Sequence, residues 1–492
     1  MIRPVCKSAP GLALALLLGG CAVGPDFHRP PPPAVDTYRP VADTRGGLPL
    51  DPGATVTDTW WYALGSPQLN ALVARGLANS PDVAAAQDRL RSAQAQLRAG
   101  YGPFFPQVDA AADGTRQKYS PSRVGQTGAP EVFSLFTPGV AVTYVIDLFG
   151  ANRRLVEGLR ATAVAQAQTL RATRLTLAGN IATTVIARAA FDDEVEAWRA
   201  IVADGETQLA AAQARTHAGT QPLSAELALA QSLENARTGL KAAEVKAGQA
   251  DDLLAVLLGE APSKANLPAI ALTALRVPSP LPLRLPADLV RQRPDILVAE
   301  AAAHNASAQI GVATAAMLPQ ITLSAGTGSS ANSLATVFGT GTGVWNYGAG
   351  ITTPLFAGGS LINKRNAARA DYQTAMDVWR QTVITAFGQV ADLLTANAGD
   401  GASDAAQARA SDDAEMTFDL AKADRIAGLI SAADLAATRV QWQTARIAAL
   451  NAHATHLQDV IALMWRWAGV LIQRSQRPDR AGYPCTGQTI RL

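Results

Sequence analysis

The chain has 492 residues, of which 48% are hydrophobic and 17% are charged, and its formal net charge is +2. This balance, without a basic stripe, excludes a typical nucleic-acid binder. Three cysteines without metal-ligand spacing exclude a disulfide framework or a zinc cluster. Because the sequence also contains no phosphate-binding glycine loop and no nucleophile motif, it predicts a protein that is not an enzyme and that needs no cofactor or metal.

The N-terminus predicts a signal peptide at residues 1–20. Arg3 and Lys7 precede the apolar stretch Gly11–Leu18, which is shorter than the roughly 20 residues of a transmembrane helix. Two glycines then precede Cys21, a pattern that resembles the lipidation signal of bacterial lipoproteins. Ala22 follows the cysteine in place of the aspartate that signals inner-membrane retention, so we expect a lipidated Cys21 at the outer membrane.

Residues 21–60 are predicted to form a lipid-anchored strap. Four consecutive prolines, Pro30–Pro33, lie in this segment. Proline at this density favours an extended and semi-rigid backbone. The strap would lead from the lipid to the folded body.

Four short motifs occur twice in the same order, separated by roughly 210 residues. The pairs are Pro81-Asp82-Val83 with Pro294-Asp295-Ile296, Phe105-Pro106-Gln107-Val108 with Leu318-Pro319-Gln320-Ile321, Leu148-Phe149-Gly150 with Leu355-Phe356-Ala357-Gly358, and His217-Ala218-Gly219 with Ile426-Ala427-Gly428. This spacing is too long for a solenoid and indicates duplication of a whole module. We expect a first repeat at 61–260, a proline-rich linker at 261–285, a second repeat at 286–474 and a tail at 475–492.

Each repeat is predicted to contain a helix, two strands, a very long helix and a returning helix. The expected helices are 81–101, 151–217, 223–259, 294–317, 359–426 and 431–474, and the expected strands are 107–119, 135–149, 320–329 and 344–356. A long helix of this kind reaches roughly 100 Å at about 1.5 Å per residue. The segment Asn397-Ala398-Gly399-Asp400-Gly401 predicts a break in the second long helix.

The predicted strands alternate in polarity. Val140, Val142, Tyr144 and Ile146 fall on one face of their strand, with smaller or more polar residues between them. Such alternation is typical of a membrane barrel, although the edge of a soluble sandwich is an alternative. Because single-chain barrels start at about 8 strands, four strands per chain need other copies to close a pore.

Several motifs together resemble the TolC-like outer-membrane factor family, in its lipoprotein branch associated with resistance-nodulation-division pumps. They include Cys21–Phe27, Trp60-Trp61, Asn79–Asp82, Arg293–Ile296, Ile310–Ala313, Pro319–Ile321, Leu355–Gly359 and Ala427–Leu429. The resemblance implies a mixed α/β membrane protein, a homotrimer with a 12-stranded β-barrel (4 strands per chain) on a long α-helical periplasmic barrel. It also implies a duct for small molecules such as drugs or toxic compounds, joined to a periplasmic adaptor and an inner-membrane pump of a Gram-negative bacterium.

The same resemblance singles out the turns of the two helical hairpins as adaptor-docking tips. Gly428 and Leu429 match the family pattern at the second tip. Gly219 matches at the first, but Thr220 replaces the apolar residue. The alternative is that both glycines only end their helices.

Asp434 matches a family position that faces the closed pore, and Glu226 is its counterpart in the first repeat. Three copies of such an acid would favour cations at a constriction; the alternative is an acid on a solvated helix surface. His453 and His456 have helical spacing, but the sequence shows no third ligand, so we expect no metal there. A duct for protein secretion or a structural coiled-coil lipoprotein remain alternative functions.

Overall fold

The computed structural model describes residues 22–31, 50–51, 59–125, 127–276, 280–282, 290 and 292–467. The predicted signal peptide, Cys21, most of the strap and the tail 475–492 lie outside the described residues. The predicted linker 261–285 is described only in part.

The described part of the chain is mostly helical. Its α-helices are α1 (Pro67–Asn79), α2 (Pro81–Ala99), α3 (Ala151–His217), α4 (Leu223–Leu257), α5 (Pro294–Ala315), α6 (Ser360–Ile426) and α7 (Ala432–Trp467). Its strands are β1 (Leu50–Asp51), β2 (Gln107–Tyr119), β3 (Glu131–Ile146), β4 (Leu281–Pro282), β5 (Gln320–Ser329) and β6 (Gly343–Thr352). Short 3₁₀ turns occupy Trp60–Leu64, Gly102–Phe104, Pro121–Val124, Pro262–Lys264, Leu272–Ala274 and Leu334–Thr336.

The element order helix, two strands, long helix, returning helix occurs twice. β2, β5 and α3 begin and end at the expected residues. β3 begins earlier than expected, at Glu131, and the last strand ends at Thr352 before Pro354. Proline provides no N–H for a strand ladder, so the strand ends ahead of it.

The predicted break in the second long helix is wrong, because α6 continues from Ser360 to Ile426. Asn397 and Gly401 are buried within it, and the carboxyl group of Asp400 faces that of Asp459 on α7. Each glycine costs a helix about 1 kcal/mol relative to alanine. Packing along this face of the helix offsets that local cost. The sequence of the segment alone shows only the cost of the glycines, and it therefore predicted a break.

The four long strands form one antiparallel sheet in the order β2-β3-β5-β6. The repeats meet at its centre, where Ile146 of β3 pairs with Ile321 of β5. β2 and β6 are the two edge strands, and within the described chain each is paired on one side only. Strand edges with free backbone groups favour pairing with another chain.

The register of this sheet separates two faces. Directly paired residues project to the same side, so one row contains Ile146, Ile321 and Ile351 and another contains Val142, Ala325 and Tyr347. Rows on the opposite face contain mainly small or polar residues: Thr143, Ser324 and Gly348 in one, and Ala141, Gly326 and Asn346 in the other. The alternation predicted from the sequence therefore extends across the strands.

The chain divides into two compact units. The first comprises Met1–Pro30, Arg89–Ala167 and Val298–Arg380, and contains the four-stranded sheet. The second comprises Pro31–Asp88, Gln168–Leu297 and Gln381–Leu492. The second unit holds the largest fully buried side chains among the described residues: Trp60, Leu64, Leu69, Ile181, Ile186, Leu254, Leu258, Leu272 and Ile296. No helix in the described part of the chain is both long and apolar enough to cross a bilayer.

Candidate functional site

The two hairpin tips have the same backbone geometry. At the first, the N–H of Thr220 donates to the Arg215 carbonyl over 3.0 Å, and that of Gly219 donates to Thr216 over 3.0 Å. At the second, the N–H of Leu429 donates to the Asp424 carbonyl over 2.9 Å, and the N–H of the preceding glycine donates one turn back. This paired arrangement is the Schellman helix end. The expected turns therefore lie where the sequence placed them.

Glycine is required at these turns by the backbone rather than by crowding. Gly219 and Gly428 both have φ of +75°, which side chains disfavour. A Cβ atom at either position would meet nothing within 4 Å. The glycines thus end their helices, and each leaves an open surface beside the turn.

Exposed aliphatic side chains surround the turns. Ile426 is 89% exposed and Leu429 is 74% exposed at the second tip. Leu223 and Leu227 are more than half exposed after the first tip. At the first tip, the residue that corresponds to Leu429 is the polar Thr220. Its hydroxyl donates to the Arg215 carbonyl over 3.1 Å. The second tip is therefore the more apolar of the two at the turn.

Asp434 lies just after the second tip and closes the N-terminus of α7. Its carboxylate accepts hydrogen bonds from the Ser431 N–H at 3.0 Å and the Ser431 hydroxyl at 2.6 Å. In return the Ser431 Oγ accepts the N–H of Asp434 at 3.2 Å, the reciprocal arrangement of a capping box. The spacing Ser431-x-x-Asp434 is visible in the sequence and indicates this cap, but the sequence analysis did not identify it.

The Ser431 hydrogen bonds lower the pKa of the Asp434 carboxyl below its ordinary value. The positive charge of Arg215 makes a smaller contribution in the same direction. Since Arg215 belongs to the first tip, the two tips are close enough for their charges to interact. Asp434 is exposed, so the cap and a role facing a pore are compatible. Glu226 lies in the first turn of α4, whose capping residue Pro222 provides no side-chain bond.

The segment that follows Cys21 is fixed to the first unit. The Val23 N–H donates to the Phe149 carbonyl over 3.0 Å. The buried Arg154 donates to the Val23 carbonyl over 3.1 Å and binds the Asp26 carboxylate at 2.7 Å. The Phe27 ring stacks on His304 at 4.4 Å between centroids. Residues 23–27 are thus held by side chains that the sequence analysis had not identified.

Gly24 explains part of the sequence pattern after the cysteine. Its φ is +98°, and a Cβ atom there would lie 2.4 Å from the Cα of Gly311. Only glycine permits this close approach. The motifs Cys21–Phe27 and Ile310–Ala313, which are far apart in sequence, therefore meet through their glycines.

The two helical histidines contact a third residue that the sequence did not reveal. One Asp404 carboxylate oxygen lies 3.0 Å from Nδ1 of His453 and 3.0 Å from Nδ1 of His456. Within the described ranges, no group of three or more histidine, cysteine or acidic residues has the geometry of a metal site. The two histidines therefore share a hydrogen-bond partner, the Asp404 carboxylate.

Known proteins share this sequence and fold. The family of outer membrane efflux proteins matches twice, at residues 72–260 and 285–468. The solvent efflux pump outer membrane protein SrpC of Pseudomonas putida is 30% identical over 424 residues, covering 85% of this chain and 88% of SrpC. The pyoverdine export outer membrane protein OpmQ of Pseudomonas aeruginosa is 29% identical over 466 residues, covering 93% of this chain and 95% of OpmQ.

Two solved structures show the same fold at lower sequence identity. The outer-membrane channel OprN has a TM-score of 0.81 and 22% identity, covering 91% of this chain and 99% of OprN. The Campylobacter jejuni CmeC outer membrane channel has a TM-score of 0.82 and 21% identity, covering 93% of this chain and 96% of CmeC. The double family match covers most of the chain and confirms the resemblance that the sequence motifs indicated: the chain belongs to the outer membrane efflux protein family.

Proposed function

We propose that this chain is the outer-membrane exit duct of a tripartite efflux pump, and that it acts as a homotrimer that expels small molecules and catalyses no reaction. The observation that carries this proposal is the sheet, which is apolar on one face and open at both edges. The family supports it, since SrpC is named for solvent efflux and OpmQ for pyoverdine export.

The open edges argue for closure by other copies of the chain. Within the described chain, β2 and β6 each have a neighbouring strand on one side only. Four strands are also too few for a barrel, since the smallest membrane barrels have about 8 strands. Three copies would place β6 of one beside β2 of the next and close a 12-stranded barrel. On this arrangement the row with Ile146, Ile321 and Ile351 faces lipid.

Aromatic side chains on β6 agree with this orientation. Trp345 and Tyr347 are 73% and 79% exposed in the single chain, and their rings stack at 5.6 Å with an interplanar angle of 1°. Tryptophan and tyrosine favour the boundary between lipid and water. We propose that this pair marks one border of the lipid-facing band.

The hairpin tips are the proposed contact with a periplasmic adaptor, which joins the duct to an inner-membrane resistance-nodulation-division pump. Ile426 and Leu429 expose apolar surface at a turn that the Gly428 conformation holds open. Single exposed apolar residues are common, but apolar surface gathered at one place marks a protein contact, and these two side chains flank the same turn. Gly219 and Thr220 would form the second, more polar contact.

We propose two further assignments. Asp434, and more weakly Glu226, contribute to a cation-favouring constriction near the tips. Cys21 carries lipid at the outer membrane, and residues 23–26 hold the chain to that anchor through their contacts with Arg154.

Disulfide crosslinking between β6 and β2 of different copies tests the barrel. A cysteine replacing Gly348 on β6 is combined in turn with cysteines replacing Asp109, Ala111 or Asp113 on β2. We expect one register to give covalent trimers on a non-reducing gel. The matched control, Gly348→Cys with Ala141→Cys, should give none, because Ala141 lies on β3 between two strands of its own chain.

Accumulation of a fluorescent drug in the same cells tests the export function. Cells without the chain should accumulate the drug, and the wild-type chain should restore export. Trimers without any effect on small-molecule accumulation would contradict the efflux role and favour protein secretion. Failure of every β6–β2 pair to crosslink would contradict the shared barrel.

A further inference from the structure

A cavity in the second unit contains two arginines that the proposed duct function does not use. It has a volume of about 240 Å³ and lies between α3, the start of α5, α6 and the end of α7. Its polar lining includes Arg293, Asp295, Gln389, Arg466 and Thr176, and the Trp465 ring forms part of its apolar wall. Arg293 directly precedes the repeated motif Pro294-Asp295-Ile296 and has so far no functional role.

The charges of this cavity are not balanced. The Arg293 Nε donates to both oxygens of the Asp295 carboxylate, at 2.9 and 3.0 Å. Arg293 and Arg466 both also donate to the same neutral oxygen, Oε1 of Gln389. Two guanidinium groups therefore converge on one amide oxygen, and the single carboxylate of the lining is already bound by one of them.

Among the described residues, Arg466 forms no ion pair, and the nearest influence of an anion is the Asp295 carboxylate, which Arg293 already binds. Burial and the nearby positive charge of Arg293 lower the pKa of Arg466, against a smaller opposite effect of Asp295. Its Nε is buried and has no hydrogen-bond partner among the described residues. Its guanidinium carbon also lies 5.4 Å from the centre of the Trp465 ring. Arg466 is half-buried, and holding a partly desolvated cation in this state is costly unless an anion joins it.

We propose that the cavity binds a small organic oxyanion, with one carboxylate or phosphate group between Arg466 and Arg293 and a compact apolar remainder against Trp465. Guanidinium groups recognise such oxyanions through paired N–H donors. The Thr176 hydroxyl and the Gln389 amide line the same space and can complete the set of hydrogen bonds. The site does not depend on the proposed duct function.

Calorimetric titration of the purified full-length protein in detergent, at low ionic strength, tests the site. The probes are benzoate, which combines a carboxylate with a flat apolar ring, and inorganic phosphate; benzyl alcohol is the neutral control. We expect one saturable benzoate site per chain and no binding of benzyl alcohol. Binding of phosphate alone would also support an oxyanion site and would assign it to the phosphate group.

Arg466→Gln should weaken binding by about tenfold or more, the loss typical of a charged hydrogen bond. Arg446→Gln is the matched control, because Arg446 lies on the same helix and faces Asp193 instead. If Arg466→Gln does not fold, as judged by circular dichroism, then Arg466→Lys replaces it, and we expect weaker binding because the paired donors are lost.

Two results would overturn the proposal. Failure of both oxyanions to bind the wild-type protein is one, and unchanged binding in Arg466→Gln or Arg466→Lys is the other. If neither oxyanion binds the wild-type protein and the Arg466→Gln trimer also dissociates, then the arginine pair belongs to a contact with an acidic side chain of a second copy.

Discussion

Asp459 provides a test of how buried charge controls the stability of the helical unit. Burial, followed by hydrogen bonding and repulsion from Asp400, raises the pKa of its carboxyl from 3.8 to about 7. In the same region one Asp404 oxygen contacts His453 and His456. Between pH 3.8 and about 7, the folded state keeps a proton that the unfolded state has lost. Stability therefore falls as the pH rises through this window and levels off above it.

The size of the effect follows from the pKa difference. A shift from 3.8 to about 7 corresponds to about 4 kcal/mol at roughly 1.36 kcal/mol per unit. Asp459 is only partly buried, so solvent screening reduces this to about 2 kcal/mol. Asp459→Asn mimics the protonated carboxyl. We expect it to stabilise the protein by about 2 kcal/mol at pH 8 and by less than about 1 kcal/mol at pH 5.

Thermal unfolding followed by circular dichroism, from pH 4.5 to 8.5, measures this difference. For a chain of this length, about 2 kcal/mol corresponds to a rise in Tm of about 2 °C. Asp412→Asn is the matched control, since Asp412 is an exposed acid on α6, and its effect should not depend on pH in this way. An Asp459→Asn variant that is equally stabilised at both pH values, or destabilised at pH 8, would refute the reasoning.

The functional assignments give three further tests. Leu429→Asp should abolish drug export and adaptor crosslinking while trimers persist, and Thr220→Asp should do less; normal export in Leu429→Asp would contradict docking at that tip. Asp434→Ala should raise conductance or lower cation preference in planar bilayers. Ser431→Ala should change neither, because it loses the cap at a cost of about 1 kcal/mol but keeps the charge of Asp434. Equal effects of the two variants would assign Asp434 to capping alone. Cys21→Ser should lose labelling by a palmitate analogue, and persistent labelling would place the lipid elsewhere.

Local sequence patterns predicted much of the secondary structure. The bounds of β2, β5 and α3 follow from residues inside or next to each element, such as Gly150, whose φ of +77° precedes α3. The tip glycines were equally readable, because a left-handed residue after a helix is a local requirement. The capping pair Ser431 and Asp434 was also local, and it was missed although its spacing is characteristic.

Other features depend on residues that are distant in the chain. The continuity of α6 through Asn397 and Gly401 depends on burial and on packing that includes α7, which outweighs two unfavourable glycines. The cavity brings together Arg293, Gln389 and Arg466, which belong to three segments that are far apart in the chain. No pattern in the sequence predicts that these segments are in contact.

The sequence by itself determined the duplicated plan, the strand alternation and the family, because periodicity and short motifs are properties of neighbouring residues. Only the tertiary structure decided that β3 pairs with β5, that Arg154 holds the segment after Cys21, and that two arginines share one amide oxygen. These are long-range contacts, and they form where burial and charge favour them, irrespective of distance along the chain.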